Sequence, residues 1–310
     1  MNICMVGYGK IATQHMEAFA GIDGVRAHTL VGRRPEPTRQ FAERFGFGSH
    51  GFDLEAALAD DAIDAVVITS PNEMHVLQAE IALRAGKHVL LEIPIAMTYD
   101  EAVRVTELSR TVDRRLMVCH TMRSFRAMRE IRRRVREGEL KVHQVVGQFG
   151  ILRRTNTTAD GTPRSWTDNI LWHHAAHLVD LSLWFLGAEP REVFCRFGPP
   201  HPTQNFMDLS MVMTMPDGAL VTITESYNIS DFRWRATVIG EEATLEYREG
   251  TLYDGAGDVV VPHQSIWDLY DQNVEFVAAV REGRDPEITG ESVLPTMKAL
   301  ADAERSALAT

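Results

Sequence analysis

The feature that most limits the fold is an alternation in the first third of the chain. Short apolar runs stand at 3–6, 28–31, 65–68, 88–91 and 116–119. Segments with helical spacing of apolar residues separate them, at 11–20, 37–45, 73–84 and 99–112. Strands joined through helices pair in parallel, because a parallel crossover needs a connection of helix length. A sheet of this kind is covered on both faces, and near-continuous apolar runs such as Ala65-Val66-Val67-Ile68 fit strands buried on both sides. The right hand of such crossovers gives a doubly wound α/β Rossmann arrangement.

The texture changes after about residue 122. A basic helix is expected at 125–136, and then β-rich runs at 142–151, 193–197, 207–215, 219–227, 234–239 and 243–247. Asp217-Gly218 marks a hairpin between two of them. One helix at 169–186 interrupts the series, and helices at 266–281 and 293–309 close the chain. Strands without intervening helices predict an α+β domain with a large open, mostly antiparallel sheet. The 310 residues exceed one small core, so two domains are expected, 1–121 and 122–310.

Charge narrows the partners. Asp and Glu number 43 against 32 Lys and Arg, a formal net charge of -11, which speaks against nucleic acid. The arginines at 126, 129, 132, 133, 134 and 136 share their helix with Met128, Ile131 and Val135 at helical spacing. That pattern is an amphipathic helix with a solvated face. Three scattered cysteines, Cys4, Cys119 and Cys195, make a disulfide framework improbable, and no apolar run approaches a membrane span. No signal-peptide pattern is read at the start, so a cytoplasmic location is expected. Only four of the 32 basic residues are lysine: Lys10, Lys87, Lys141 and Lys298. A mechanism that needs a catalytic lysine has only those candidates.

Gly7-Tyr8-Gly9-Lys10-Ile11-Ala12 follows the first strand and opens a helix. In that context GxGxxA is a dinucleotide turn: one glycine for the bend, one to admit the pyrophosphate, Ala12 for close packing. The helix N-terminus adds N–H donors and partial positive charge. The second strand ends Val31-Gly32-Arg33-Arg34, with no carboxylate to hold a ribose and two guanidinium groups that suit a 2′-phosphate. This predicts NADP, with NAD as the alternative. Thr69-Ser70-Pro71-Asn72 ends another strand, where Asn72 reads either as a ligand group or as a helix cap. Glu92 follows a buried strand and is expected on the pocket floor.

The order GxGxxA, then Thr69-x-Pro71-Asn72-x-x-His75, then Glu92-x-Pro94, then a β-rich half resembles the Gfo/Idh/MocA oxidoreductases. The resemblance spans the chain and implies a nicotinamide cofactor. It places Gly7, Gly9, Lys10, Ile11, Gly32, Arg33, Arg34, Thr69, Ser70, Asn72, His75, Glu92 and His120 at the cofactor. The family usually reads Glu-Lys-Pro with a catalytic lysine, whereas Ile93 stands there in this chain. The family's Asp-x-Gly-x-His-x-x-Asp becomes His173-His174-Ala175-Ala176-His177-Leu178-Val179-Asp180. Glu92-Ile93-Pro94, His120-Thr121, Arg153-Arg154 and the run from Arg164-Ser165-Trp166 to His177 resemble a narrower branch. Its resemblance implies NADP-dependent oxidation of a carboxylated cyclic hemiacetal to a pyrone dicarboxylate. A sugar or cyclitol dehydrogenase is the alternative, and a nucleotide-binding sensor without catalysis a second. A homodimer or higher homo-oligomer is implied by resemblance alone.

The residues fit a small anionic substrate. Arg123, Arg153, Arg154 and Arg164, with Trp166, are the candidate carboxylate-binding groups. His177 is the candidate base, His173 polarises the hydroxyl or relays its proton, and Asp180 orients an imidazole. His173 and His177 are expected to share a helix face, with His174 pointing elsewhere as a structural residue. With Asp180 they could also bind zinc, but hydride transfer needs no metal, and none is expected.

Overall fold

The computed structural model describes residues 1–153, 155, 157, 169–201 and 204–309. Arg154, Arg164 and Trp166 lie outside the described residues. The chain divides into two compact units: Met1–Thr121 with Trp267–Leu294, and Met122–Ile266 with Pro295–Thr310.

The first unit holds β1 (Asn2–Val6), α1 (Lys10–Phe19), β2 (Arg26–Val31), α2 (Pro35–Phe45), β3 (Ser49–Gly51) and α3 (Leu54–Leu58). It continues with β4 (Ala65–Ile68), α4 (His75–Arg84), β5 (His88–Leu91), α5 (Tyr99–Thr111) and β6 (Leu116–Val118). The strands lie in the order β3-β2-β1-β4-β5-β6, all parallel. All four residues of β4 are buried, as the uninterrupted apolar run requires. The order reverses between β1 and β4, which opens a crevice at the carboxyl ends of those strands.

The second unit begins with α6 (Arg126–Arg136) and β7 (Val142–Leu152). A π-helical turn, Leu171–Ala175, runs into α7 (Ala176–Leu186). Then come β8 (Glu192–Phe197), β9 (Pro200–His201), β10 (Gln204–Phe206), β11 (Asp208–Thr214), β12 (Leu220–Ser226) and β13 (Asn228–Gly240). β14 (Thr244–Arg248), β15 (Thr251–Asp254) and β16 (Val259–Val261) finish the strands. Eight of these form one sheet in the order β16-β15-β14-β13-β7-β12-β11-β8, antiparallel except for β7 against β12. Along β12, Val221, Ile223 and Glu225 point inward, and Ile223 lies near Gly147 and Leu178 of α7. The basic helix α6 behaves as its pattern predicts. Met128 and Ile131 are buried, while Arg133 pairs with Glu130, Glu137 and Glu139.

α8 (Tyr270–Glu282) and α9 (Gly290–Leu308) close the chain. Their placement corrects the expectation that 122–310 forms one domain. Trp267–Leu294 belongs to the first unit. Asn273 of α8 bonds the ring of His15 on α1, and Tyr270 lies against Gly21. These contacts follow from tertiary packing and leave no local mark in the sequence.

Candidate functional site

In the first unit the glycine turn is shaped by its neighbours. Gly7 has φ of +109°, and a Cβ there would lie 2.6 Å from Thr69 Oγ1 and 2.9 Å from the Thr69 carbonyl oxygen. Thr69 in turn donates to the Val6 carbonyl at 2.8 Å, stitching β1 to β4 at the crevice. Gly9 differs. It caps α1 with φ of -79°, and among the described residues no side chain caps that helix end and nothing lies within 4 Å of a Cβ placed there. Open space above uncapped N–H groups is what an anion needs. Ile11 is half-buried on the first turn, and the Lys10 ammonium sits 4.0 Å over the Trp267 ring.

At the end of β2, Gly32 serves packing. A Cβ would fall 2.0 Å from Thr38 Oγ1 on α2. Arg33 and Arg34 are exposed, and Arg34 Nε donates to the Tyr8 hydroxyl at 3.3 Å, so this guanidinium flanks the glycine turn. Ser70 donates to Gln78 at 2.5 Å. Asn72 opens a short 3-10 turn, and among the described residues no side chain caps that turn or α4, so the capping role is corrected. His75 is also corrected as a ligand group. It is 1% exposed, with Nδ1 at 2.7 Å from the Pro94 carbonyl and Nε2 at 3.0 Å from the Ser70 carbonyl. The ring lies between those two turns, and burial pushes its pKa down. Glu92 Oε1 meets His15 Nε2 at 2.9 Å, a contact with a residue the sequence reading passed over. His120 is buried, and Ile93 is 6% exposed. Lys87 donates to the Asp60 carbonyl, so it supplies no ammonium beside Glu92.

In the second unit the histidines gather on the helix-facing side of the sheet. The π turn widens the helix where His173 and His174 stand, so the simple spacing from His173 to His177 does not apply. The His173 and His174 rings lie 4.3 Å apart, and His174 stacks on Phe149 at 4.1 Å. His174 Nδ1 meets the Tyr227 hydroxyl at 2.7 Å. His177 lies 5.3 Å from Trp234, whose ring is also 5.3 Å from Phe149. His174 therefore belongs to the same cluster as its neighbours, a correction to the expectation that it points elsewhere. The Arg153 guanidinium sits 5.1 Å over the Tyr227 ring, at the end of β7. An arginine stacked beside imidazoles is equipped to fix a carboxylate next to a base.

Two expectations give way here. Arg123 and Asp180 form a buried bidentate pair, Nε to Oδ2 at 2.7 Å and Nη2 to Oδ1 at 2.5 Å. Thr296 also donates to Oδ1 at 2.9 Å. The carboxylate is matched by a guanidinium, which weakens it as a support for an imidazolium and takes the Arg123 fork from any substrate. A cavity of about 400 Å³ on this unit, lined by Arg196, Asp208, Ser210, Thr224 and Ser226 among others, holds none of the described residues that were selected from the sequence.

All three cysteines are buried and unbridged, and burial raises the Cys4 thiol to about 12. They are core residues. No described helix is long and apolar enough to cross a membrane.

Comparison with known proteins agrees with this architecture. Residues 1–120 match the family model described as an oxidoreductase family with an NAD-binding Rossmann fold. Residues 127–263 match the C-terminal domain of bacterial oxidoreductases. Over 98% of this chain and 98% of the relative, the sequence is 35% identical to 4-carboxy-2-hydroxymuconate-6-semialdehyde dehydrogenase from Sphingobium sp.. It is 27% identical to inositol 2-dehydrogenase from Leifsonia xyli, over 91% of this chain and 86% of that one. An oxidoreductase domain protein from Kribbella flavida has the same fold, with a TM-score of 0.88 at 23% identity over 99% of this chain and 97% of its own. With its parallel nucleotide-binding sheet, its eight-stranded second sheet and these relatives, the chain belongs to the Gfo/Idh/MocA oxidoreductase family of NAD(P)-dependent dehydrogenases.

Proposed function

We propose that the chain is an NADP-dependent dehydrogenase acting on the cyclic hemiacetal of 4-carboxy-2-hydroxymuconate-6-semialdehyde, yielding 2-pyrone-4,6-dicarboxylate. The carrying observation is Arg153 stacked on Tyr227 within the histidine cluster. It supports a carboxylated substrate over a neutral sugar. The full-length likeness to the Sphingobium dehydrogenase supports the same substrate class.

Bound nicotinamide supplies the hydride acceptor. The residues of this chain do the rest. Arg153 holds a ring carboxylate. His177 takes the hydroxyl proton, for which imidazole is suited near neutral pH. His173 polarises the hydroxyl or passes the proton on, and Trp234 beside His177 keeps water from the reacting face. In this reading Arg33 and Arg34 receive the 2′-phosphate. We further propose a homo-oligomer through the outer sheet face, which the exposed Phe194 and its cross-strand neighbour Val212 support and a solution mass measurement tests.

The test is the appearance of NADPH absorbance on adding NADP and the semialdehyde. Turnover of inositol without turnover of the semialdehyde would sink the reading. His177→Ala should lower turnover at least about a hundredfold with the NADP Kd unchanged.

A further inference from the structure

Three side chains with lone pairs meet at the carboxyl edge of the first unit's sheet. His15 comes from α1, Glu92 stands just past β5 and Cys119 just past β6, with their ligand atoms within 4.8 Å of one another. The His15 side chain is 0% exposed, while Glu92 keeps 13%. Both ring nitrogens of His15 are engaged. Nδ1 lies 3.1 Å from Asn273 Oδ1, and the Asn273 amide nitrogen donates to the His15 carbonyl at 3.4 Å. Turning that amide over would set two oxygens against each other. Oδ1 therefore faces the ring as an acceptor, and Nδ1 carries hydrogen.

Nε2 lies 2.9 Å from Glu92 Oε1. A neutral ring protonated at Nδ1 would turn a lone pair toward a carboxylate oxygen at hydrogen-bond distance. Positive charge has to sit between them. Zinc would hold nitrogen and oxygen at about 2.0–2.1 Å each, which sets tetrahedral ligands about 3.3 Å apart. The observed spacing is shorter and is that of a hydrogen bond.

We propose that His15 and Glu92 hold one proton between them, and that losing it favours the oxidised over the reduced cofactor. The second clause rests on the family reading, in which the nicotinamide lies over the carboxyl edge of the sheet. With the proton the pair is neutral overall; without it the pair carries one negative charge. The oxidised nicotinamide ring carries a positive charge that the reduced ring lacks, so only the oxidised form gains from that change. His15 is a positioning residue, acting through Glu92. Around the pair, the Ile93 N–H donates to Glu92 Oε2 at 3.3 Å, and the buried His120 follows Cys119 in the chain. Cys119 Sγ stands 4.0 Å from Nε2, and burial together with the Glu92 charge keeps its thiol protonated. His75 also feels Glu92. From α8, the amides Gln272 and Asn273 are neutral.

The test has two arms. Nitrogen NMR of histidine-labelled, ligand-free protein reads the proton directly, with His15→Gln to assign the signal. At neutral pH, His15 should show hydrogen on Nδ1 and a shared proton at Nε2 that Glu92→Gln alters. A bare Nε2 would overturn the proposal. Dissociation constants for NADP and NADPH across pH form the second arm. The ratio should swing toward the oxidised form by about tenfold across the pH at which the NMR signal changes. In His15→Gln, which keeps a donor toward Glu92 but has no proton to lose, the ratio should stay fixed at the oxidised-favouring value. A wild-type ratio independent of pH would overturn the cofactor linkage. Binding of neither form would refute the cofactor reading and the linkage with it, while the NMR result still decides the proton.

Discussion

The two glycines of the N-terminal turn should fail in opposite ways when each is replaced by alanine. At Gly7 the backbone has φ of +109°, and the new methyl group would lie 2.9 Å from the Thr69 carbonyl oxygen, which is backbone and cannot swing aside. The left-handed conformation costs about 1–2 kcal/mol, and forced overpacking adds about 1–3 kcal/mol. Gly7→Ala should therefore lose at least about 2 kcal/mol, read as a lower urea midpoint. Gly9→Ala meets neither penalty. Its φ of -79° suits any residue, and no described residue lies within 4 Å of the new Cβ. Restricting the unfolded chain should even stabilise it by about 0.4–1 kcal/mol. The same methyl group fills the space in which a pyrophosphate would approach the α1 N–H groups. Losing one charge-assisted hydrogen bond costs about 1.5–3 kcal/mol, so calorimetric NADP affinity should fall on the order of ten- to a hundredfold. A Gly9→Ala protein that binds NADP like the wild type would refute the assignment of this turn. A Gly7→Ala protein of undiminished stability would refute the steric argument.

Three further outcomes are expected. Asp180→Asn leaves Arg123 buried without its charge partner, so stability should drop by about 3–5 kcal/mol; an unmoved melting temperature would count against the pair as a structural lock. Replacing Arg33 and Arg34 together with Ser should weaken NADP binding at least about tenfold with NAD binding nearly unchanged, and equal losses for both would reject the 2′-phosphate role. Glu225 is 3% exposed, and burial holds its pKa well above 4.5. The folded state then keeps a proton that the unfolded state sheds, so stability falls as pH rises above the unfolded value. The advantage of Glu225→Gln over wild type should grow by up to about 1.4 kcal/mol per pH unit through that range, and a gap in melting temperature that stays constant with pH would contradict it.

What could be read from the chain follows from the range of the interactions involved. The strand–helix alternation, the glycine turn and the amphipathic α6 depend on near neighbours, and periodicity exposes them. Arg123 and Asp180 are 57 positions apart, so nothing local announces that each cancels the other. Taken singly, the arginine suits a carboxylate and the aspartate suits an imidazole, and only the fold brings the two together. His15 sits mid-helix between Gln14 and Met16, with no motif around it, and its partner Asn273 is 258 residues away. The π turn altered the histidine helix for a related reason. Side-chain spacing predicts a face only if the backbone keeps its usual turn.

The absence of lysine after Glu92 acquires a physical meaning from these contacts. A carboxylate at the edge of a buried sheet needs a nearby positive charge or a proton. Where the family's usual pattern sets an ammonium one residue on, this chain has Ile93, only 6% exposed, and Lys87 is held by the Asp60 carbonyl. The balancing charge has to come from elsewhere in the unit, and the imidazole of His15 is in place at 2.9 Å. A fixed ammonium stays charged through the neutral range, whereas a histidine–carboxylate couple gains or loses its proton with its surroundings. Exchanging the one for the other moves the site from constant to adjustable charge. Restoring the lysine by Ile93→Lys should therefore release Glu92 from its dependence on His15. His15→Gln should then alter the pH dependence of cofactor binding less in the Ile93→Lys background than in the wild type. Equal effects in both backgrounds would show that the two cations do not answer to the same carboxylate.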